Sequence, residues 1–118
     1  MAHNETTTIY HNPRCSKSRD ALAIIKEQGI EPNIIEYLKT PPTKEELRSI
    51  LKKLGMKPEQ LVRKGEDIYK DQFAGKSFND GQWLDMLAKN PILIERPIVV
   101  RGDYAVIGRP PEKVRELL

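Results

Sequence analysis

Cys15 is the only cysteine in the 118-residue chain, and it stands among four side chains that carry or can take a positive charge: His11, Arg14, Lys17 and Arg19. A thiolate in that company is a nucleophile, whereas a thiol packed away from it is a small apolar filler. The backbone around the sulfur decides between the two. "TTTIY" is β-branched and aromatic and runs into the loop "HNP", which reads as a strand feeding a turn. Cys15, Ser18, Leu22 and Ile25 then recur at helical steps, and Gly29 stands where a helix C-cap needs it. A helix is therefore predicted from about Ser16 to Gln28. Cys15 falls at its N-terminus, where unpaired backbone N–H groups and the helix dipole favour an anion. Such a position, with cations nearby, lowers a thiol from about 8.5 to roughly 3.5–7.5. A thiolate at neutral pH is expected.

The residues after the cysteine shape the chemistry. Cys15-Ser16-Lys17-Ser18 has the spacing of a Cys-x-x-Cys redox motif with Ser18 in place of the second thiol. Such a site attacks but cannot resolve its own adduct, so an outside thiol, glutathione or a small redox protein, must clear Cys15. A phosphatase loop of the Cys-x5-Arg kind is excluded, because the sixth residue after Cys15 is Ala21. His11 either supports the thiolate as an imidazolium or merely caps the strand end. Asn12 and Pro13 are first of all turn formers. Arg63, Arg96 and Arg109 are far apart in sequence and make an anion cradle only if the fold brings them together. One Cys and two His, His3 among them in a short tail expected over residues 1–5, do not supply a four-ligand zinc site.

These residues need a scaffold. "NIIEYL", residues 33 to 38, is the next strand, which makes a βαβ unit with parallel strands. Thr43 and Glu46 form a capping box ahead of the Leu47, Ile50, Leu51, Leu54 stripe and Gly55, predicting a helix. Residues 57 to 71 read as short helical turns and irregular chain. A further helix starts at Asn79, carries Trp83, Leu84 and Leu87, and ends before Pro91. Ile98–Val100 and Tyr104–Ile107 read as antiparallel strands joined at "RGD", here a hairpin turn and not an adhesion motif. A closing helix has proline near its first turn and a Val114, Leu117, Leu118 face. The expected architecture is a single α/β domain over residues 1–118: βαβ, then a helical insertion over about 43–90, then ββα.

Composition narrows the function. Hydrophobic residues at 38% and charged residues at 31% suit a globular protein. A net charge of +3 with scattered Lys and Arg argues for a small anion and against nucleic acid. "MAHNETTT" lacks the basic start and apolar core of an export signal, and no apolar run is long enough for a membrane span, so a cytoplasmic protein is expected.

"IYHNPRCSKSR", "EYLKTPPTKEEL", "LVRK", "NPILIERPIVV" and "IGRPPEKV", in that order from Thr8 to Leu118, resemble the glutaredoxin-dependent arsenate reductases of the ArsC type. The resemblance implies a thioredoxin-like fold with a helical insertion; a monomer with no bound cofactor is expected. It implies Cys15 as nucleophile, His11 helping to hold the thiolate, and Arg63, Arg96 and Arg109 as oxyanion ligands. Asn12, Ser18, Arg19 and Pro97 would support them, Pro97 as the cis-proline of such folds. It also implies arsenate as substrate, glutathione as co-substrate and glutaredoxin as the final reductant. Family members commonly follow the cysteine with Gly-Thr-Ser-Arg, where this chain has Ser16-Lys17-Ser18-Arg19. Loss of the glycine alters how closely backbone N–H groups approach an oxyanion. Two other readings stay open: a glutathione-linked thiol oxidoreductase with another substrate, and a redox regulator resembling the Spx proteins that bind RNA polymerase.

Overall fold

The structure, a computed structural model, describes residues 6–118; the expected N-terminal tail lies outside the described residues. The chain divides into two compact units, the described part of Met1–Thr40 together with Arg96–Leu118, and Pro41–Glu95.

In the first unit, β1 (Thr7–His11), β2 (Asn33–Glu36), β3 (Ile98–Arg101) and β4 (Tyr104–Ile107) form one sheet in the order β2-β1-β3-β4. β1 pairs parallel with β2 and antiparallel with β3, and β3 pairs antiparallel with β4. The parallel pair needs a crossover, and α1 (Ser16–Glu27) supplies it. Gln28 is its C-cap and Gly29 follows at φ +77°, the left-handed conformation that stops a helix. β2 is shorter than the predicted 33–38, because Tyr37 and Leu38 turn out of the strand.

Period-two alternation decides what lies under α1. Thr7, Ile9 and His11 share the buried face of β1. Ile9 packs with Ala21, Ile24, Ile25, Val99 and Val114, and each such aliphatic side chain contributes about 1.5–3 kcal/mol when fully buried. The helix turns Ser18, Ala21, Ile24 and Ile25 inward, with Leu22 only partly buried; the inward face is therefore rotated slightly from the predicted stripe. Gly102, at φ +59°, turns the β3–β4 hairpin between the paired Arg101 and Tyr104, as expected for "RGD".

The closing segment departs from expectation. Pro111–Leu117 is a 3-10 helix, not an α-helix. Pro110 and Pro111 have no N–H to give, and Lys113 N–H bonds three residues back to Pro110 O at 3.0 Å. Three residues per turn stack Pro111, Val114 and Leu117 on one side, and this side packs on α1 and β4. Gly108 lies where these pieces close up: a Cβ there would be 2.9 Å from Pro97 Cγ and 3.2 Å from Val114 Cγ1.

In the second unit, α2 (Lys44–Leu54) has the predicted capping box, with Glu46 N–H donating to Thr43 Oγ1 at 3.1 Å and Thr43 N–H to Glu46 Oε1 at 3.2 Å. A 3-10 turn at Pro58–Leu61 and the short α3 (Asp67–Gln72) occupy the stretch read as helical turns. α4 (Asp80–Lys89) is capped by Asn79 and Gln82 and buries Trp83, Leu84, Met86 and Leu87. A second 3-10 turn, Pro91–Leu93, leads to a single antiparallel bridge between Val62 and Ile94. Among the described residues, no helix is long and apolar enough to cross a membrane.

Candidate active site

Cys15 is the N-cap residue of α1, with extended backbone angles, and its side chain makes no capping bond. The loop before it is self-bracing. Cys15 N–H donates to Asn12 O at 2.9 Å, Arg14 N–H to Asn12 Oδ1 at 3.0 Å, and Asn12 N–H to Ser18 Oγ at 3.4 Å. Asn12 is buried and acts as the turn former its type suggests. Arg19 spends Nη1 on Pro13 O at 3.0 Å, so it ties down the loop.

The sulfur is partly exposed. Burial pushes the thiol up, but the Ser18 N–H, the Arg96 guanidinium, the Lys17 N–H and the Ser18 hydroxyl lie around it, favour the thiolate and bring it down to about 7. Cys15 is thus a partly exposed thiol that titrates near neutrality. Its stabilisation comes from the first turn of α1 and from one arginine. Arg14, Lys17 and Arg19, conspicuous in the sequence, contribute through loop structure or a backbone N–H.

Arg96 precedes β3 and Arg109 follows β4; the Ile98–Ile107 pairing brings these two ends together. Arg109 Nη1 donates to Arg96 O at 3.1 Å, and Gly108 N–H donates to Pro97 O at 2.8 Å. The Arg96–Pro97 peptide is cis, as the fold resemblance implies, and so is Arg109–Pro110. Beside the sulfur, Arg96 holds Nε and Nη1 buried with no hydrogen-bond partner. Buried guanidinium N–H groups left unpaired are costly; an oxyanion is the ligand that fits them.

His11 lies on the buried face of β1. It is 6% exposed, and burial lowers it below the usual histidine range, with Glu36 pulling upward and Arg19 adding to the lowering. Burial thus favours the uncharged imidazole over the imidazolium, and Nδ1 is buried without a partner. Arg63 belongs to the second unit, where its N–H donates to Leu93 O at 2.7 Å and its side chain pairs with Glu66 at 3.3 Å and Glu95 at 3.6 Å. Two contributors escaped sequence reasoning. Glu36, at the end of β2, acts on His11 across the parallel pair, and Gly108 ties the strand ends that carry Arg96 and Arg109. The glycine immediately before Arg109–Pro110 was the one available signal.

The ArsC family's sequence profile matches residues 10–117. The uncharacterized protein YfgD of Escherichia coli K12 is 48% identical over 112 residues, covering 93% of this chain and 94% of that protein. A Haemophilus influenzae protein named arsenate reductase is 44% identical, covering 93% of this chain and 97% of its own. The solved structure of an arsenate reductase from Vibrio cholerae superposes with a TM-score of 0.93 at 45% identity, covering 97% of this chain and 98% of that one. The mixed four-stranded sheet with its helices is accordingly the thioredoxin-like fold of these proteins. With matches that span nearly its whole length, this chain belongs to the ArsC family.

Proposed function

We propose that the protein is a thiol-dependent oxidoreductase that reduces arsenate, or a similar small oxyanion, through the Cys15 thiolate, with glutathione and glutaredoxin as external reductants. One observation carries the reading: a thiol brought down to about 7 lies beside a guanidinium with two buried, unpartnered nitrogens. Nucleophile and oxyanion ligand are thereby adjacent. The thiolate forms a sulfur–arsenic bond as an oxygen leaves as water, with arsenic still pentavalent. A glutathione thiolate then attacks the Cys15 sulfur; the electron pair of the sulfur–arsenic bond passes to arsenic, and arsenite departs. Two sulfurs have been oxidised to a mixed disulfide and arsenic has been reduced by two electrons. Glutaredoxin removes the glutathione. The absence of a second cysteine supports this dependence on outside thiols.

The experiment is arsenite production from arsenate with glutathione and glutaredoxin, wild type against Cys15→Ser. Loss of activity in the variant is expected, and activity that survives the substitution refutes the proposal. A second reading, a glutathione-linked oxidoreductase acting on disulfides, is favoured by Ser16-Lys17 where relatives commonly have Gly-Thr; turnover with disulfides but none with arsenate selects it. A regulator switched by its own disulfide would need the thiol that Ser18 replaces.

A further inference from the structure

Next to the cysteine loop, His11, Asn12, Pro13, Arg14, Glu36, Leu38 and Lys39 enclose a cleft of about 200 Å³. One wall is the segment immediately preceding Cys15; the other is the end of β2 and the turn after it. Three features point to a ligand. His11, more than nine-tenths buried, lines the cleft and has a ring nitrogen with no hydrogen-bond partner. Arg14 and Lys39 supply two cations, and Glu36, 3.5 Å from Lys39, supplies one carboxylate. Leu38 is a large apolar side chain left 39% exposed, giving a floor for an aliphatic segment.

This pattern is the complement of a small zwitterionic peptide. Glutathione carries two carboxylates and one ammonium group around a central thiol, so cations are wanted toward its ends and one anion toward its amine. A cleft of this size is smaller than the roughly 300–1,000 Å³ that encloses a drug-sized ligand. It has room for one arm of the tripeptide, and its wall at Arg14 is adjacent in the chain to Cys15. We infer that the cleft bounded by His11, Arg14, Glu36 and Lys39 is the subsite that seats glutathione when it clears Cys15. The inference rests on the reading of Cys15 as a thiolate resolved by an external thiol, and it adds where that thiol binds.

The test separates the two. Cys15 thiolate attacks glutathione disulfide, forming the Cys15–glutathione disulfide and expelling glutathione thiolate. It attacks 2-hydroxyethyl disulfide, which has no charges, in the same way. Arg14→Glu combined with Lys39→Glu, both at exposed positions, is expected to lower the ratio of the two rate constants on the order of tenfold, since each reversal replaces an attraction by a repulsion. The fall should shrink in high salt. Normalising to the uncharged disulfide removes any effect on the thiolate itself, and a ratio unchanged from wild type overturns the subsite. Independently, S-methylglutathione, which cannot react, should shift the backbone amides of residues 11–14 and 36–39 in the wild-type protein. Shifts confined elsewhere, or none, also overturn it. The shift map decides the subsite even if Cys15 reacts with neither disulfide, an outcome that instead refutes the proposed nucleophile.

Discussion

Replacing Arg96 with methionine removes a charged donor from the Cys15 sulfur and keeps a long unbranched stem in its place. A hydrogen bond to a charged group contributes about 1.5–3 kcal/mol, and each pH unit of thiol titration corresponds to 1.36 kcal/mol. Cys15 is partly open to solvent, which selects the lower end and predicts a rise of about one unit, from about 7 to about 8. At pH 7 the ionised fraction falls from about one-half to about one-tenth. Because the remaining thiolate is more basic and more nucleophilic, the observed rate falls only about twofold; the midpoint is therefore the quantity to read. Iodoacetamide alkylation of Cys15 followed from pH 5 to 10 gives it directly. The backbone carbonyl that accepts from Arg109 is retained in Arg96→Met, so a cooperative melt should persist and certify the fold. A folded Arg96→Met protein whose midpoint moves by less than about 0.3 unit would refute the assignment of Arg96 as a stabiliser of the thiolate.

The same titration makes stability depend on pH. The thiol titrates near 9.0 ordinarily and at about 7 in the folded protein, so between these values the unfolded chain binds more protons and folding stability rises with pH. The contribution is complete above about 9 and lost as pH falls through about 7; exposure reduces the two-unit ceiling to about 1–2 kcal/mol. Urea unfolding of wild type and Cys15→Ser at pH 6.5 and 9.5 should show the difference between them widening at high pH, and a constant difference counts against it. Gly108→Ala forces a methyl group to within 2.9 Å of Pro97 Cγ and should cost about 1–3 kcal/mol as overpacking; an unchanged urea midpoint would mean that the neighbours yield freely. Thr43→Ala removes the N-cap of α2 and should cost about 1 kcal/mol, read from the same unfolding curves.

Local signals carried much of this fold into the sequence. The two caps, at Thr43 and Asn79, are written as side chains three residues ahead of Glu46 and Gln82, and they bond as their types require. The hairpin was legible because Gly102 can take positive φ between two β-branched runs. The C-terminal segment was misread because an apolar face at 114, 117 and 118 suits either helix type; only the partner surface on α1 and β4 selects the three-residue repeat of Pro111, Val114 and Leu117. At the site, Cys15 and the helix N-terminus were visible together, since strand, turn and helix are contiguous. The state of His11 was not, because it depends on a buried strand face and on Glu36, both set by pairing at long range.

Two demands meet at one sulfur. In the proposed reaction, with no resolving thiol in the chain, Cys15 attacks first and is attacked later at the same atom, so extreme stabilisation of its thiolate would defeat the first step. Nucleophilicity falls as the thiol becomes more acidic, and the best attacking thiol titrates near the ambient pH. Burial raising Cys15, opposed by two backbone N–H groups, one hydroxyl and one guanidinium, arrives at about 7 by setting moderate effects against each other. The guanidinium is not exhausted in doing so, because Nε and Nη1 of Arg96 still lack partners. One arginine thus supports the thiolate while two of its buried nitrogens remain for an oxyanion.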